Sequence, residues 1–284
     1  MTNLVKLSVT LSLIFSINNV YADREAFEST YVPLAPEKIV IQNASIYDGD
    51  GGEFFETDVL VEDGKIIAIG KDLPFSNEFR VIDATGKWVT PGIIDIHSHM
   101  GVYPAPGVRT SSDGNEATSP VTADVWAEHS IWVQDPQYAL ALTGGVTAFH
   151  ILPGSANLIG GRGVTVKNLQ RVTINSMKFP DAPHSLKMAC GENPKRVYGN
   201  RGQAPSTRMG NAAGYRKSWI QAEGYLRRLN EYEEKSDEAK ELEYAPTRDL
   251  EMETLAGVLK GEILVHNHCY RADEMATMID IAKE

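Results

Sequence analysis

Two stretches of the chain carry imidazoles at a spacing that suits a metal site. In Pro91-Gly92-Ile93-Ile94-Asp95-Ile96-His97-Ser98-His99-Met100 two histidines lie two residues apart, and Val265-His266-Asn267-His268 repeats the arrangement. Side chains two residues apart on a β-strand leave the same face. Read as strands, both stretches aim a pair of imidazoles one way, close enough to hold one divalent cation. Ile94, Ile96 and Ser98 fall on the face opposite His97 and His99. Asp95, on the histidine face, is expected to steady a ring nitrogen. A surface strand that happens to carry two histidines is the plain alternative for either stretch; two such strands in one chain weigh against it. The first is introduced by Pro-Gly and stays apolar up to its polar end, the pattern of a buried strand with functional groups at its carboxyl end. In a parallel barrel, active sites sit at that end.

A third candidate stretch, Ser185-Leu186-Lys187-Met188-Ala189-Cys190-Gly191, reads as a buried strand that runs into Glu192. Just past a strand end, Glu192 is placed to bridge or complete a metal site; capping the next element or pairing with Arg196 is its plain alternative. Lys187 lies within the strand, where an unpaired ammonium is costly to bury. His150, on the apolar face of a strand over residues 146–152, reads as a packed histidine rather than a ligand.

The elements that position these residues follow from periodicity and turn chemistry. Residues 38–41, 58–61, 65–69 and 79–82 are short alternating strands, the middle pair joined as a hairpin across Glu62-Asp63-Gly64. Residues 101–120, rich in Gly, Pro, Ser and Asp, form a long loop in which Asp113-Gly114-Asn115-Glu116 are candidates to line a substrate site. Asp135-Pro136 opens a helix that Gly144-Gly145 closes. The glycine-rich run over residues 153–163 lacks the Gly-Lys-Ser/Thr ending of a phosphate loop and reads as a flexible loop at the barrel mouth, with a strand over residues 164–167 beyond it. A long helix is expected from Ser206-Thr207 to about Glu234, a charged solvated stretch over residues 231–243, and helices from Asp249 to about Leu259 and from Arg271 to Glu284.

Composition narrows the function. A net charge of −11 with no basic stripe argues against nucleic-acid binding. Two cysteines, Cys190 and Cys269, make neither a disulfide framework nor a zinc knuckle, and Cys190 reads as core. Lys6, the apolar run to Ile17 and Val20-Tyr21-Ala22 read as a secretory leader over residues 1–22, too short to span a membrane. The expected location is periplasmic or secreted, with no membrane association once the leader is removed.

The stretch Pro91 to His99, taken with Val265-His266-Asn267-His268 and Arg271-Ala272-Asp273-Glu274, resembles the first and fifth barrel strands of the amidohydrolase superfamily, closest to its imidazolonepropionase and prolidase-like branch. The resemblance covers nearly all of the chain beyond the leader. It implies an α/β fold, an incomplete (β/α)8 TIM-type barrel over residues 88–284, flanked by a small N-terminal β-sandwich over residues 23–87. It implies hydrolysis of a C–N bond in an amide, cyclic amide or dipeptide-like small molecule by a metal-activated water. The cofactor is one or two divalent ions, zinc in the first instance. His97, His99 and His266 become metal ligands and His268 a substrate contact. Lys187, as the carboxylated lysine that many members use to bridge two metals, joins Glu192 as a candidate acidic ligand, with Glu192 preferred. The alternatives are a metal-binding but inactive fragment and a deaminase-type enzyme acting on a cyclic amidine; homo-oligomerisation is left open. A full barrel needs about 250 residues. Five strands are placed, at Ile93, Val146, Val164, Leu186 and Leu264, and the family's later histidine and its general-base aspartate have no counterpart before Glu284. The expectation is a fragment, inactive and prone to aggregate alone. Replacing His97 and His99 together with Ala is expected to abolish bound metal and leave the core folded, because the pair makes up roughly half of a four-ligand shell. Metal analysis and circular dichroism of the purified double variant check this.

Overall fold

The computed structural model describes residues 27–284, so the leader expected over residues 1–22 lies outside the described residues. Two sheets follow each other along the chain. The first holds β1 (Ile39–Tyr47), β2 (Glu53–Glu62), β3 (Lys65–Gly70), β4 (Arg80–Asp83) and β5 (Trp88–Val89). Its order is β3-β2-β1-β4, with β5 also on β1. The β2–β3 hairpin turns where expected: Asp63 and Gly64 take φ of 52° and 71°, the positive values that a tight two-residue turn requires. Ala44, Ile46, Val59 and Ala84 make its small core.

The second sheet holds β6 (Ile93–Ser98), β7 (Val146–Ile151), β8 (Ile159–Lys167), β9 (Ser185–Ala189) and β10 (Leu264–His268), in the order β10-β9-β8-β7-β6. Pairs β6–β7 and β9–β10 are parallel, as a barrel requires, and the sheet curls into an incomplete barrel. The strand expected at Val164 departs from the pattern. As β8 it runs antiparallel to both β7 and β9, so the parallel strands are four, not five. It is also longer than expected: Ile159 to Gly163, read as flexible loop, are strand. Glycine marks close approach here rather than mobility. A Cβ on Gly161 would overlap the Val125 carbonyl, and one on Gly163 would overlap Ser185 Oγ.

Helices cover the outer side of the curl. They are α1 (Gln137–Thr143), α2 (Glu192–Gly199), α3 (Arg208–Glu233), α4 (Asp237–Glu241), α5 (Leu250–Leu259) and α6 (Ala272–Lys283). Thr207 caps α3 by accepting the Gly210 N–H, and the Asp249 carboxylate caps α5 by accepting the N–H groups of Glu251 and Met252. The stretch expected to be merely charged and solvated contains α4, capped by Ser236. Leu186 and Met188 of β9 pack with Tyr215, Tyr225 and Leu255 of α3 and α5 into the main core. Each such side chain, fully buried, contributes about 1.5–3 kcal/mol. Phe149, Ile151, Val164 and Val166 build a second cluster with Tyr138 of α1.

Two expectations drawn from composition and pattern are corrected. Cys190 and Cys269 are joined by a disulfide that links the segments just past β9 and β10, with Cα atoms 5.1 Å apart. Strand β6, read as buried, is an edge: Ile93, Ile94 and Ile96 are exposed, Ile96 by 70 %. The apolar pattern is that of a buried strand, and among the described residues no element covers the outer face of β6. No described helix is long and apolar enough to cross a membrane.

Backbone approach predicts a contrast between two glycines. Gly161, at φ +112°, faces the Val125 carbonyl, whereas Gly261, at φ +78°, has nothing within 4 Å of a built Cβ. Gly261→Ala is expected to cost about 1 kcal/mol from backbone conformation alone, and Gly161→Ala at least about 3 kcal/mol from conformation plus overlap. Urea unfolding of the two variants checks the difference.

Candidate metal centre

Strand period and register bring the sequence-selected residues to one place. His97 and His99 lie at the carboxyl end of β6, with ring centroids 5.3 Å apart and planes at 82°. On the opposite edge, His266 stands in register with Lys187 of β9. In-register neighbours share a face, so Lys187 points with His266 into the concavity. Lys187 is fully buried, and its Nζ lies 3.0 Å from His97 Nε2. A contact between β6 and β9, three strand positions apart, spans the curl. His268 stands one turn of the pleat beyond His266, its ring 4.6 Å from that of Tyr270.

Each imidazole is held differently. His99 Nδ1 lies 2.8 Å from the Leu152 carbonyl oxygen. A carbonyl only accepts, so Nδ1 carries the proton and the Nε2 lone pair faces elsewhere, the arrangement of a ligating histidine. At His97 the Lys187 amine donates to Nε2 and occupies its lone pair. The expected carboxylate support for His97 takes another form: Asp95 Oδ1 accepts the backbone N–H of His97 at 3.1 Å instead of meeting its ring. His150, read as packed, is packed. It is buried, with Nδ1 2.9 Å from Thr165 Oγ1 and Nε2 2.6 Å from Ser185 Oγ, and it stacks on His266 at 4.6 Å. His268 Nε2 is buried with no hydrogen-bond partner.

The electrostatics follow from basic groups crowded together, with Lys187 and His150 buried, His99, His266 and His268 half-buried and His97 exposed. Burial, then Lys187 and the neighbouring histidines, hold the His97 imidazole down at about 4. Burial, then His266 and His97, hold His150 at about 4. Burial lowers Lys187 to about 8. Burial lowers His99, His266 and His268 as well, with Lys187 adding to each. At neutral pH these imidazoles are neutral, the form that binds metals.

The donor set suits a divalent ion in its chemistry: neutral imidazoles, a free Nε2 on His99 and an orphaned buried Nε2 on His268. Two features stand against it. Among the described residues no three His, Cys, Asp or Glu side chains are gathered closely enough to hold one ion, and Lys187 fills the position beside His97 with a donor. Glu192 opens α2 at its exposed N-terminal turn. The residues Asp113, Gly114, Asn115 and Glu116 do line a cleft, of about 530 Å3, with Trp126 and His129; none of His97, His99, His266 or His268 is in its walls. Sequence reading missed Asp135, which is fully buried and accepts the backbone N–H groups of Gly101, Ala105 and Gln137. It ties α1 to the loop that leaves β6, and its signal was the Asp-Pro helix start.

An open curl of mostly parallel strands with imidazoles on its concave face and helices outside is part of a (β/α)8-type barrel. No protein-family model matches the chain. It is similar to the crystal structure of an amidohydrolase from Thermotoga maritima MSB8, with a TM-score of 0.78 and 39% identity over 87% of this chain and 62% of that one. It is 36% identical to the amidohydrolase tasK of Hapsidospora irregularis over 83% of this chain and 26% of that protein. A dihydroorotase of Lactobacillus helveticus is 46% identical over 74 residues, 26% of this chain and 16% of that protein. The chain belongs to the amidohydrolase superfamily. It spans about a quarter of the length of the fungal relative and less than two thirds of the bacterial one.

Three backbone donors converge on a fully buried carboxylate at Asp135, and hydrogen bonds to charged groups are the stronger class. Asp135→Ala is expected to cost about 3 kcal/mol and to speed amide exchange at Gly101 and Ala105. Hydrogen-exchange mass spectrometry over the loop after β6 checks it.

Proposed function

We propose that the protein hydrolyses a C–N bond of a small molecule, an amide, cyclic amide or dipeptide-like substrate, at a divalent metal site on the concave face of the curl. The observation that carries this is the Lys187–His97 contact of 3.0 Å, made by a fully buried lysine among imidazoles. A divalent ion held there, zinc in the first instance, would supply a bound water of pKa about 7 and a Lewis acid for the scissile carbonyl. His97, His99 and His266 would hold it, and the unpartnered Nε2 of His268 would meet the substrate.

In this reading Lys187 rather than Glu192 is the acidic ligand. Glu192 is exposed on α2, whereas Lys187 is at the centre of the cluster. A neutral amine is the form that adds carbon dioxide, and burial favours that form here. Addition forms an N–C bond and releases one proton, leaving a carbamate. The side chain changes from a donor that occupies His97 Nε2 into an anionic acceptor. That single change frees the imidazole and places a negative charge beside it. The named dihydroorotase relative favours a cyclic amide within the C–N class. The protein is exported in the same reading, and the Cys190–Cys269 bond suits an oxidising compartment.

The two candidate acidic ligands are separable. Lys187→Ala is expected to lose metal and to abolish the effect of bicarbonate, while Glu192→Gln keeps both. Metal content of the purified full chain with and without bicarbonate is the measurement. The reverse pattern assigns the role to Glu192, and full metal in both variants excludes both.

A further inference from the structure

We infer that His150 is a positioning residue, whose locked ring fixes the plane of the His266 imidazole from beneath. The inference rests on the proposed reading of His266 as a metal-holding residue. His150 is the one buried titratable group of the concave face to which neither the sequence reading nor the proposed function gives a task. It is ruled out as a ligand by its own contacts, since Thr165 Oγ1 at 2.9 Å and Ser185 Oγ at 2.6 Å engage both of its nitrogens. What it touches with its ring face is His266, at a centroid distance of 4.6 Å and an interplanar angle of 28°. Near-parallel stacking leaves the edge of His266, with its nitrogens, free.

Three strands build the lock. Thr165 of β8 is the register partner of His150 of β7. Ser185 comes from β9, the far side of β8, and reaches across because Gly163 has no side chain: a Cβ there would overlap Ser185 Oγ. The glycine that disguised β8 as a loop is thus what lets a β9 hydroxyl meet a β7 imidazole. Strand β10 needs such a support. Among the described residues it pairs with β9 alone, so no neighbouring strand confines the His266 ring on its other side. An imidazole directs its lone pair within its own plane, so the plane that His150 imposes sets where His266 can hold an ion.

The test uses the full chain and cobalt(II) as the probe, with binding followed by its visible absorption. The variants are His150→Ala, which removes the support, and the double variant Ser185→Ala with Thr165→Val, which unlocks it while leaving both imidazoles in the chain. Supports for metal ligands are typically worth 10–100-fold in affinity. His150→Ala is expected to weaken cobalt(II) binding at least about tenfold and to change the absorption envelope. The unlocking variant, without metal, is expected to shift and broaden the ring-proton resonances of His266, although neither substituted residue contacts it. A folded His150→Ala chain with wild-type affinity and envelope overturns the inference, as do unchanged His266 resonances in the unlocked chain. Should His150→Ala fail to fold, the unlocking variant carries both readouts. If the wild-type chain takes up no cobalt(II) while His266→Ala behaves identically, the metal reading falls; the His266 resonances then decide on their own whether His150 orients that ring.

Discussion

The arrangement depends on holding a buried lysine against a group of imidazoles with no carboxylate paired to it. Lys187 is that lysine, fully buried and 3.0 Å from His97 Nε2. A buried, unpaired ammonium carries a penalty of several kcal/mol, and the fold lowers it by making the amine easier to neutralise. The same burial keeps the neighbouring imidazoles neutral. The cost is met on the other face of the same strand. Leu186 and Met188 alternate with Lys187 and lie in the main core against α3 and α5, and two such side chains contribute about 3–6 kcal/mol together. One pleated strand thus carries the liability on one face and its compensation on the other.

Strand β8 is where the sheet departs from a regular barrel, and its composition follows from that. It runs against both neighbours and threads between β7 and β9. Its glycines leave room for the Val125 carbonyl on one side and for Ser185 on the other. The approach to β8 is equally fixed. Asn157 donates to the carbonyls of Glu116 and Ser119 and to Thr122 Oγ1, and the Gly154 N–H donates to the Gly114 carbonyl. The two long connections on this side of the sheet are therefore fastened to each other, and the segment that follows β7 is a wall of the structure. It is not a hinge.

Legibility in the sequence tracked how local each signal is. The period-2 spacing of His97 and His99, and of His266 and His268, needs only a strand to be read, and both strands are present. Asp63-Gly64, Thr207 and Asp249 are turn and cap signals carried within a few residues, and they mark real element ends. What depends on partners distant in sequence stayed hidden. Gly161 and Gly163 look like loop residues until Val125 and Ser185 are seen beside them. The Cys190–Cys269 pair is 79 residues apart, and two lone cysteines carry no spacing motif. Direction is also not local: nothing in Val164-Thr165-Val166-Lys167 distinguishes an antiparallel strand from a parallel one. The apolar run at Ile93, Ile94 and Ile96 reports the burial a strand is built for, and the exposure of β6 reports which neighbours are present.

The choice between the two acidic candidates shows the same boundary. From sequence, Glu192 had the right charge at the right kind of place, just past a strand end. In the fold, Gly191 at φ +70° turns the chain there, packed against the Glu274 carboxylate, and Glu192 leaves into the first turn of α2. A carboxylate at a helix N-terminus is stabilised by the helix dipole, which accounts for Glu192 without any metal. Lys187 has no such account. No helix end, carboxylate or solvent shell offsets its burial, and its one polar contact is to a ring nitrogen that also needs a donor-free neighbour if it is to bind an ion. The residue with a sufficient structural reason is the weaker candidate for chemistry, and the residue without one is the stronger.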